Sequence, residues 1–305
     1  MPATTGETTL DLSVVPTERY PLTRVISHSD TVLCAQAFDV ETDMPVFIKV
    51  KDASVAGNGL RLAREADILA GLSHGQIPRL VDADIDEGQA FPYIVTELKP
   101  GSLYPQRLLD KQTVPRLAAR ICLSALEPLG YVHDQGITHR DVKPNNLLMR
   151  ANGGLTSLVD FELGLWDYQP SFLDMVRGLF GASSESSEGK DRITEVGRVV
   201  GTADYMSPER AVGKRGTAQS DIYSMGVVLY RLLYGKTPFS GKATEVAKLH
   251  LTEPIDFTAT ERGIPEVLVG VMETATQKEP RHRYASAGEM GEALERFLRD
   301  TPPEV

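Results

Sequence analysis

The stretch H-R-D-V-K-P-N-N, from His139 to Asn146, decides the fold of this chain. It follows a segment compatible with a helix and precedes an apolar run, so we expect a loop held between packed elements. Within it, Lys143 follows Asp141 by two residues and Asn146 follows it by five. These groups suit phosphoryl transfer, because the carboxylate orients a hydroxyl, the amide oxygen holds a metal ion and the cation offsets phosphoryl charge. A charged surface loop is the alternative, and the specificity of this order weighs against it.

On this motif, which matches the catalytic loop H-R-D-L-x-x-x-N, the chain resembles the eukaryotic-type (Hanks-type) Ser/Thr protein kinases of the bacterial branch. The resemblance implies an α+β, two-lobed fold with ATP in the cleft: a small, mainly β N-lobe with helix C, and a larger, mainly helical C-lobe. We expect a flexible tail over residues 1–17, the N-lobe over 18–97, the C-lobe over 98–299 with an activation segment at 160–209, and a short tail at 300–305.

The amino-acid composition narrows the class of protein without reference to any motif. The 305 residues are 41% hydrophobic and 24% charged, which is typical of a soluble globular protein. A net charge of -10 argues against nucleic acid as a partner. No apolar run approaches the roughly 20 residues of a membrane span. The only cysteines are Cys34 and Cys122, so we expect reduced thiols in a cytoplasmic protein. Because the expected domain ends near Leu298, we also expect no room for a membrane or sensor domain.

A lysine interrupts one of the predicted strands. Lys49 lies in the apolar run Val46–Val50, where a strand lysine usually extends to water. The resemblance instead makes it the β3 lysine that binds the nucleotide phosphates. It also assigns its partner as Glu65, 16 residues later on a helix predicted over Leu60–Leu72. A solvated helix carboxylate is the alternative for Glu65.

The next predicted strand, Pro92–Leu98, resembles the hinge between kinase lobes. Thr96 then occupies the gatekeeper position. Glu97 and Leu98 would offer backbone groups to the edge of the adenine ring. One strand followed by a Pro-Gly turn is a weak signal, which depends mainly on its spacing from the other motifs.

The resemblance assigns roles to the catalytic loop and to one residue beyond it. Asp141 is the catalytic carboxylate, Lys143 stabilises the transferred group, and Asn146 binds Mg²⁺. Asp160, 19 residues after Asp141 and at the end of a predicted short strand, occupies the Mg²⁺-binding position of D-F-G. An aspartate at a strand end is also a common turn former.

The activation segment contains the candidate regulatory residues. Ser183–Ser187 opens a polar stretch that suits either a flexible insertion or a phosphorylation site. Thr194 resembles the activating threonine of bacterial kinases, and Arg140 would supply a cation to its phosphate. In the family, threonine at Thr202 and lysine at Lys143 mark specificity for Ser/Thr.

Three further residues are expected to be structural. The resemblance implies that Asp221, near the start of a strongly apolar helix, braces the backbone of the catalytic loop. It also implies an ion pair between Glu209 and Arg283.

Two departures from the family pattern bear on nucleotide binding. The glycines of G-x-G-x-x-G are replaced by Ser27, Ser29 and Val32. The serine hydroxyls could compensate, but β-branched Val32 tolerates positive φ poorly, so we expect weaker or differently shaped nucleotide binding. Glu162 replaces the glycine of D-F-G, and we hypothesise that it restricts this segment and shifts metal preference towards Mn²⁺. The alternative is that Glu162 points to solvent.

The sequence therefore predicts a Ser/Thr protein kinase that uses ATP with Mg²⁺, acts on protein substrates, and is regulated by phosphorylation of its activation loop. A homodimer for trans-autophosphorylation is a further expectation. A pseudokinase that binds nucleotide or acts as a scaffold is the main alternative, supported by the two departures. A small-molecule phosphotransferase fits less well, because the region from Thr202 to Glu209 builds a platform for protein substrates.

Overall fold

The computed structural model describes residues 15–86, 88–103, 113–149, 156–166, 203–258 and 263–302. The chain forms two compact units. The first runs to Lys99 and also takes in Phe161–Leu163, whereas the second comprises Pro100–Asp160 and the chain from Gly164 onward.

Over its described residues, the first unit is an antiparallel sheet with one helix. Its elements are β1 (Leu22–His28), β2 (Val32–Asp39), β3 (Met44–Lys51), α1 (Asn58–Ala70), β4 (Leu80–Asp84) and β5 (Tyr93–Glu97). The strands pair in the order β1-β2-β3-β5-β4. Because side chains alternate along a strand, Val46, Ile48 and Val50 enter one apolar core and leave the intervening residues of β3 on the opposite face.

The second unit is mainly helical. Its short strands are β6 (Ser102–Leu103), β7 (Ile137–Thr138), β8 (Leu147–Met149), β9 (Thr156–Leu158) and β10 (Leu165–Trp166). Its helices are α2 (Pro115–Asp134), α3 (Pro208–Ala211), α4 (Ala218–Tyr234), α5 (Ala243–Thr252), α6 (Glu266–Ala275) and α7 (Ala287–Asp300). Helix α4 is buried along almost its whole length, so it forms the centre of this unit.

The predicted fold class is confirmed: in the part of the chain that the structure describes, one unit is mainly β with a single long helix, and the other is mainly α. Strand β4 was not predicted, because its sequence L-V-D-A-D gives a weak alternation and all five residues are half-buried. Within the described ranges, no helix is long and apolar enough to cross a membrane.

Candidate active site

The first unit holds the candidate nucleotide-binding lysine in a buried ion pair. Lys49 Nζ lies 2.7 Å from Glu65 Oε2, and both side chains are largely buried. Lys49 extends from the face of β3 opposite the apolar core. Glu65 lies among the buried residues of α1, one turn after Leu62. The structure therefore brings together the two residues that the sequence paired across 16 positions.

The hinge candidates follow directly in β5 and beyond. Thr96 is buried. The N–H groups of Glu97 and Leu98 donate to the carbonyl oxygens of Arg79, at 2.9 Å, and Pro45, at 3.3 Å. The N–H groups of both candidate residues are therefore already engaged within the first unit.

The turn between β1 and β2 is organised by Ser29 and not by glycine. Its hydroxyl accepts the Val32 N–H at 3.1 Å and lies 3.2 Å from the Val32 carbonyl oxygen, while its own N–H donates to that carbonyl at 2.9 Å. Val32 pairs with Lys51 in the sheet and does not belong to the described residues with positive φ. The strain expected at Val32 is therefore avoided by a differently shaped turn, in which the Ser29 hydroxyl serves the turn itself. Ser27 lies exposed in β1.

In the second unit the catalytic loop forms a connected polar cluster. Lys143 Nζ lies 2.7 Å from Asp141 Oδ2, and Asn146 Nδ2 donates to the same oxygen at 3.0 Å and to the Asp141 carbonyl at 2.8 Å. A short 3-10 turn, Pro144–Asn146, places Asn146 facing Asp141. Since Nδ2 is the donor in these bonds, Oδ1 is the Asn146 atom that could ligate a metal ion.

Burial raises the pKa of Asp141 above its ordinary value, although the neighbouring Lys143 ammonium opposes the shift. The Asp160 carboxylate raises it further. A carboxylate with a raised pKa is a better proton acceptor than an exposed one. Asp141 thus combines a fixed position with increased basicity.

The backbone of the catalytic loop is held by Asp221 of α4. Its two carboxylate oxygens accept the N–H groups of His139 and Arg140, each at 2.8 Å, and His133 Nε2 lies 2.9 Å from the same side chain. Arg140 has a φ of 67°, in the left-handed region that disfavours side chains, so the bracing offsets local strain.

Asp160, two residues after the end of β9, also has a positive φ, 68°. The preceding residue is tied to the catalytic loop, because the Val159 N–H donates to the Asn146 carbonyl at 3.0 Å. Carboxylate and amide oxygens are the ligand types that Mg²⁺ prefers, so Asp160 and Asn146 form a suitable donor set within this unit.

Glu209 and Arg283 form a bidentate pair. The two terminal guanidinium nitrogens each lie 2.8 Å from one of the carboxylate oxygens, and the Arg283 side chain is completely buried. Ser220 Oγ donates to Glu209 Oε1 at 2.5 Å. Burial alone would raise the pKa of Glu209, but Arg283 outweighs it and holds that pKa below the usual value. This cluster joins α3 to the start of α4.

Two charged residues were missed by sequence reasoning. Lys51 pairs with Glu162 at 2.7 Å and is buried. The periodicity of β3 could have revealed it, since residues two apart share a face. Arg210 donates to the Arg140 carbonyl. No sequence signal marks that contact, because any residue has a carbonyl.

Two of the candidate residues, Thr194 and Thr202, lie outside the described residues, as does Ser183–Ser187.

Comparison with known proteins identifies the family of this chain. The family model for the protein kinase domain matches residues 29–294. Serine/threonine-protein kinase PknB of Mycobacterium tuberculosis is 32% identical over 296 residues, which cover 94% of this chain and 44% of that protein. The probable serine/threonine-protein kinase PknB of Corynebacterium glutamicum is 34% identical over 301 residues, with 95% and 44% covered. Serine/threonine-protein kinase PknL of Mycobacterium bovis is 33% identical over 290 residues, with 92% and 66% covered.

The chain belongs to the protein kinase family. Its relatives place it with the bacterial Ser/Thr kinases of the Hanks type, as the resemblance predicted. The chain spans less than half the length of the PknB relatives.

Proposed function

We propose that this chain is an active Ser/Thr protein kinase that transfers the γ-phosphoryl group of ATP to Ser or Thr hydroxyls of protein substrates. The observation that carries the proposal is the cluster of Asp141, Lys143 and Asn146, joined by contacts of 2.7 to 3.0 Å and braced from behind by Asp221. Phosphoryl transfer depends mainly on positioning and on electrostatic stabilisation, and this loop is built for both.

Each group in the loop has a distinct part. Asp141 orients the acceptor hydroxyl and takes its proton, which its raised pKa favours. Lys143 stabilises the negative charge that develops on the transferred group. Asn146 and Asp160 supply oxygen ligands for Mg²⁺, which would neutralise phosphate charge. In the first unit, Lys49 binds the nucleotide phosphates, and Glu65 holds its ammonium in place.

The complete set of charged and amide groups favours an enzyme over a pseudokinase. The chain retains all six residues of the set: Lys49, Glu65, Asp141, Lys143, Asn146 and Asp160. The proposal is supported by the contact of Lys49 with Glu65 and by the contacts of Lys143 and Asn146 with Asp141. The altered glycine-rich loop affects only the lid over the phosphates, where Ser29 supplies an ordered turn.

Regulation by phosphorylation belongs to the same proposal. Thr194 is the residue we expect to be phosphorylated, with Arg140 as the cation that meets the phosphate and with trans-autophosphorylation in a homodimer as the route. Ser183–Ser187 is a second candidate region. We also propose that Mg²⁺ is the working metal ion and that Glu162 shifts the preference towards Mn²⁺.

Autophosphorylation with labelled ATP, in Mg²⁺ and separately in Mn²⁺, tests the proposal, with Asp141→Asn as the control. We expect label in the wild type and at least about a 100-fold loss in the variant, the scale of a lost general base. ATP should still raise the melting temperature of Asp141→Asn. Absence of label with both metals, while ATP raises the melting temperature of the wild type, would show a nucleotide-binding pseudokinase.

Mass spectrometry of the labelled protein tests the regulatory part separately. Phosphate at Thr194 or within Ser183–Ser187 is expected. The same assay on Glu162→Gly should show a lower ratio of Mn²⁺-dependent to Mg²⁺-dependent activity, and an unchanged ratio would remove the metal hypothesis.

A further inference from the structure

Four charged side chains meet in the first unit, two of them beyond the pair that kinases share. Glu162 Oε1 lies 3.1 Å from Lys49 Nζ, and Glu162 Oε2 lies 2.7 Å from Lys51 Nζ. Lys49 keeps its contact with Glu65 at 2.7 Å. One carboxylate thus bridges two ammonium groups.

The fold brings Lys51 to this position by simple geometry. Lys49 and Lys51 are two residues apart on β3, so both extend from the face opposite the apolar core of Val46, Ile48 and Val50. Glu162 follows Phe161, whose side chain is fully buried and fixes the chain at that point. The alternative in which Glu162 points freely to solvent is therefore not what the structure shows.

Burial makes the pairing of Lys51 with Glu162 obligatory. The Lys51 side chain is only 3% exposed, and a buried lysine without a partner is strongly unfavourable. The shared pair of Lys49 and Glu65 is neutral by itself. Glu162 alone would add a negative charge beside the phosphate-binding lysine, and Lys51 alone would add a positive one. Together, the charges of Lys51 and Glu162 cancel.

We propose that Lys51 and Glu162 form a paired insertion in the nucleotide site, in which Glu162 positions the Lys49 ammonium and Lys51 cancels the charge that would otherwise repel the phosphates of ATP. This proposal rests on the proposed kinase function for the identity of the ligand. Neither residue is a catalytic residue; both act through Lys49. The pair explains how this chain accommodates glutamate at the glycine position of D-F-G.

The proposal predicts effects of opposite sign on ATP affinity. Lys51→Met leaves two carboxylates against one ammonium, so ATP should bind roughly tenfold more weakly, the scale of one unit charge at a partly screened site. Glu162→Gln keeps a side-chain oxygen that can accept from the Lys49 ammonium but removes the negative charge. Two ammonium groups then face one carboxylate, so ATP should bind several-fold more tightly while the melting temperature falls. The double variant restores neutrality and should bind ATP within about threefold of the wild type.

The measurement is the Kd for ATP with Mg²⁺ by calorimetry on the full chain, together with kcat and KM for ATP. Arg79→Met is the matched control, because it removes one positive charge from an exposed position of the same unit. It should leave the Kd unchanged. Lys51→Arg keeps the charge and should bind ATP like the wild type. If Lys51→Met fails to fold, Glu162→Gln is compared with the double variant. The two differ only at residue 51, so the comparison shows whether the Lys51 charge strengthens or weakens ATP binding.

A purely structural role would weaken ATP binding in both single variants, and that result would overturn the proposal. A double variant that binds no better than Lys51→Met would overturn it as well. A wild type that binds ATP but transfers no phosphate would refute the kinase function alone, because the affinity series still decides the role of the pair. If the wild type transfers phosphate but Lys51→Met and Glu162→Gln do not change the ATP affinity in opposite directions, only the proposed role of Lys51 and Glu162 is refuted.

Discussion

At the scale of single residues, Asp221 holds the catalytic loop through both of its carboxylate oxygens. Burial alone would raise its pKa, but His133 and the loop outweigh burial and lower it, so the ionised form is the one that accepts these bonds. Asp221→Asn replaces one acceptor with an NH₂ donor that faces a backbone N–H of the loop. We expect a loss of about 2–4 kcal/mol in unfolding free energy, since a buried network is broken.

The same variant should also affect the chemistry. A loop displaced by a fraction of an ångström moves Asp141, so kcat should fall by about 100-fold while KM for ATP changes much less. Urea unfolding and steady-state kinetics measure the two effects. Asp256→Asn is the control: its carboxylate is exposed and serves a local turn with Thr258, so both quantities should stay near wild type. Unchanged kcat in Asp221→Asn would show that the loop is held by other contacts.

Sequence reasoning reached some of these residues and not others, for a physical reason. The roles proposed for Lys49, Glu65 and Asp141 require a particular residue type at a particular spacing. Motif order therefore predicted these residues and the pairing of Lys49 with Glu65. The periodicity of β3 places Lys51 on the same face as Lys49 but does not show its partner Glu162, which lies far away in the sequence. Arg210 donates to a backbone carbonyl, which no sequence signal marks.

At the scale of elements, the position of α4 against α6 depends on one glycine. A Cβ added at Gly226 would lie 2.8 Å from both Ala275 Cβ and Thr276 Cγ2, closer than real side chains approach. Glycine to alanine normally stabilises a helix by about 0.5–1 kcal/mol. At Gly226 we expect the opposite, a loss of about 1–3 kcal/mol, because the two helices must move apart.

Gly270 in the facing helix α6 is the matched control. A Cβ there would meet nothing within 4 Å, so Gly270→Ala should raise the unfolding free energy by about 0.5–1 kcal/mol. Denaturant unfolding of the two variants measures the difference. Equal stabilisation by both would show that the helices are not packed as closely as the structure places them.

The helix and strands with a clear hydrophobic periodicity were predicted well from the sequence. The helix that contains Glu65 begins two residues before the expected start and ends two residues before the expected end, as helix ends commonly do. Strand β4 was missed, because it is paired on one side only and its residues are half-buried, so hydrophobic alternation does not mark it.

At the scale of the whole molecule, the order of motifs predicted the fold class, since each motif must occupy one place in one architecture. The stabilising contacts of the second unit were not predicted in the same way. His250 of α5 is an example: its Nε2 donates to the Asp204 carbonyl at 2.9 Å and its Nδ1 accepts from the Tyr223 hydroxyl at 2.8 Å. The carbonyl can only accept, which fixes the neutral tautomer.

This arrangement makes the stability of the protein depend on pH. Burial lowers the pKa of His250 from 6.5 to about 4, and the nearby Lys278 adds to the effect, while the bond to Asp204 opposes it. As the pH falls below 6.5 the unfolded chain takes up a proton that the folded chain refuses, so protons favour unfolding. The contribution of His250 to stability is therefore fully present above pH 6.5 and is lost progressively down to about pH 4. At about 1.4 kcal/mol per pKa unit, the full loss is roughly 3 kcal/mol.

Urea unfolding at a series of pH values between 4 and 7 measures this dependence. His250→Gln should be less stable than the wild type at pH 7 but should lose less stability on acidification, because its side chain takes up no proton. His282→Gln, at an exposed position, is the control and should follow the wild type. Below about pH 4.5 the Glu209 carboxylate, whose pKa is also lowered, adds a second loss as Arg283 is left without its charged partner. A wild type and a His250→Gln variant with the same slope between pH 6.5 and 4.5 would exclude His250 as the titrating group.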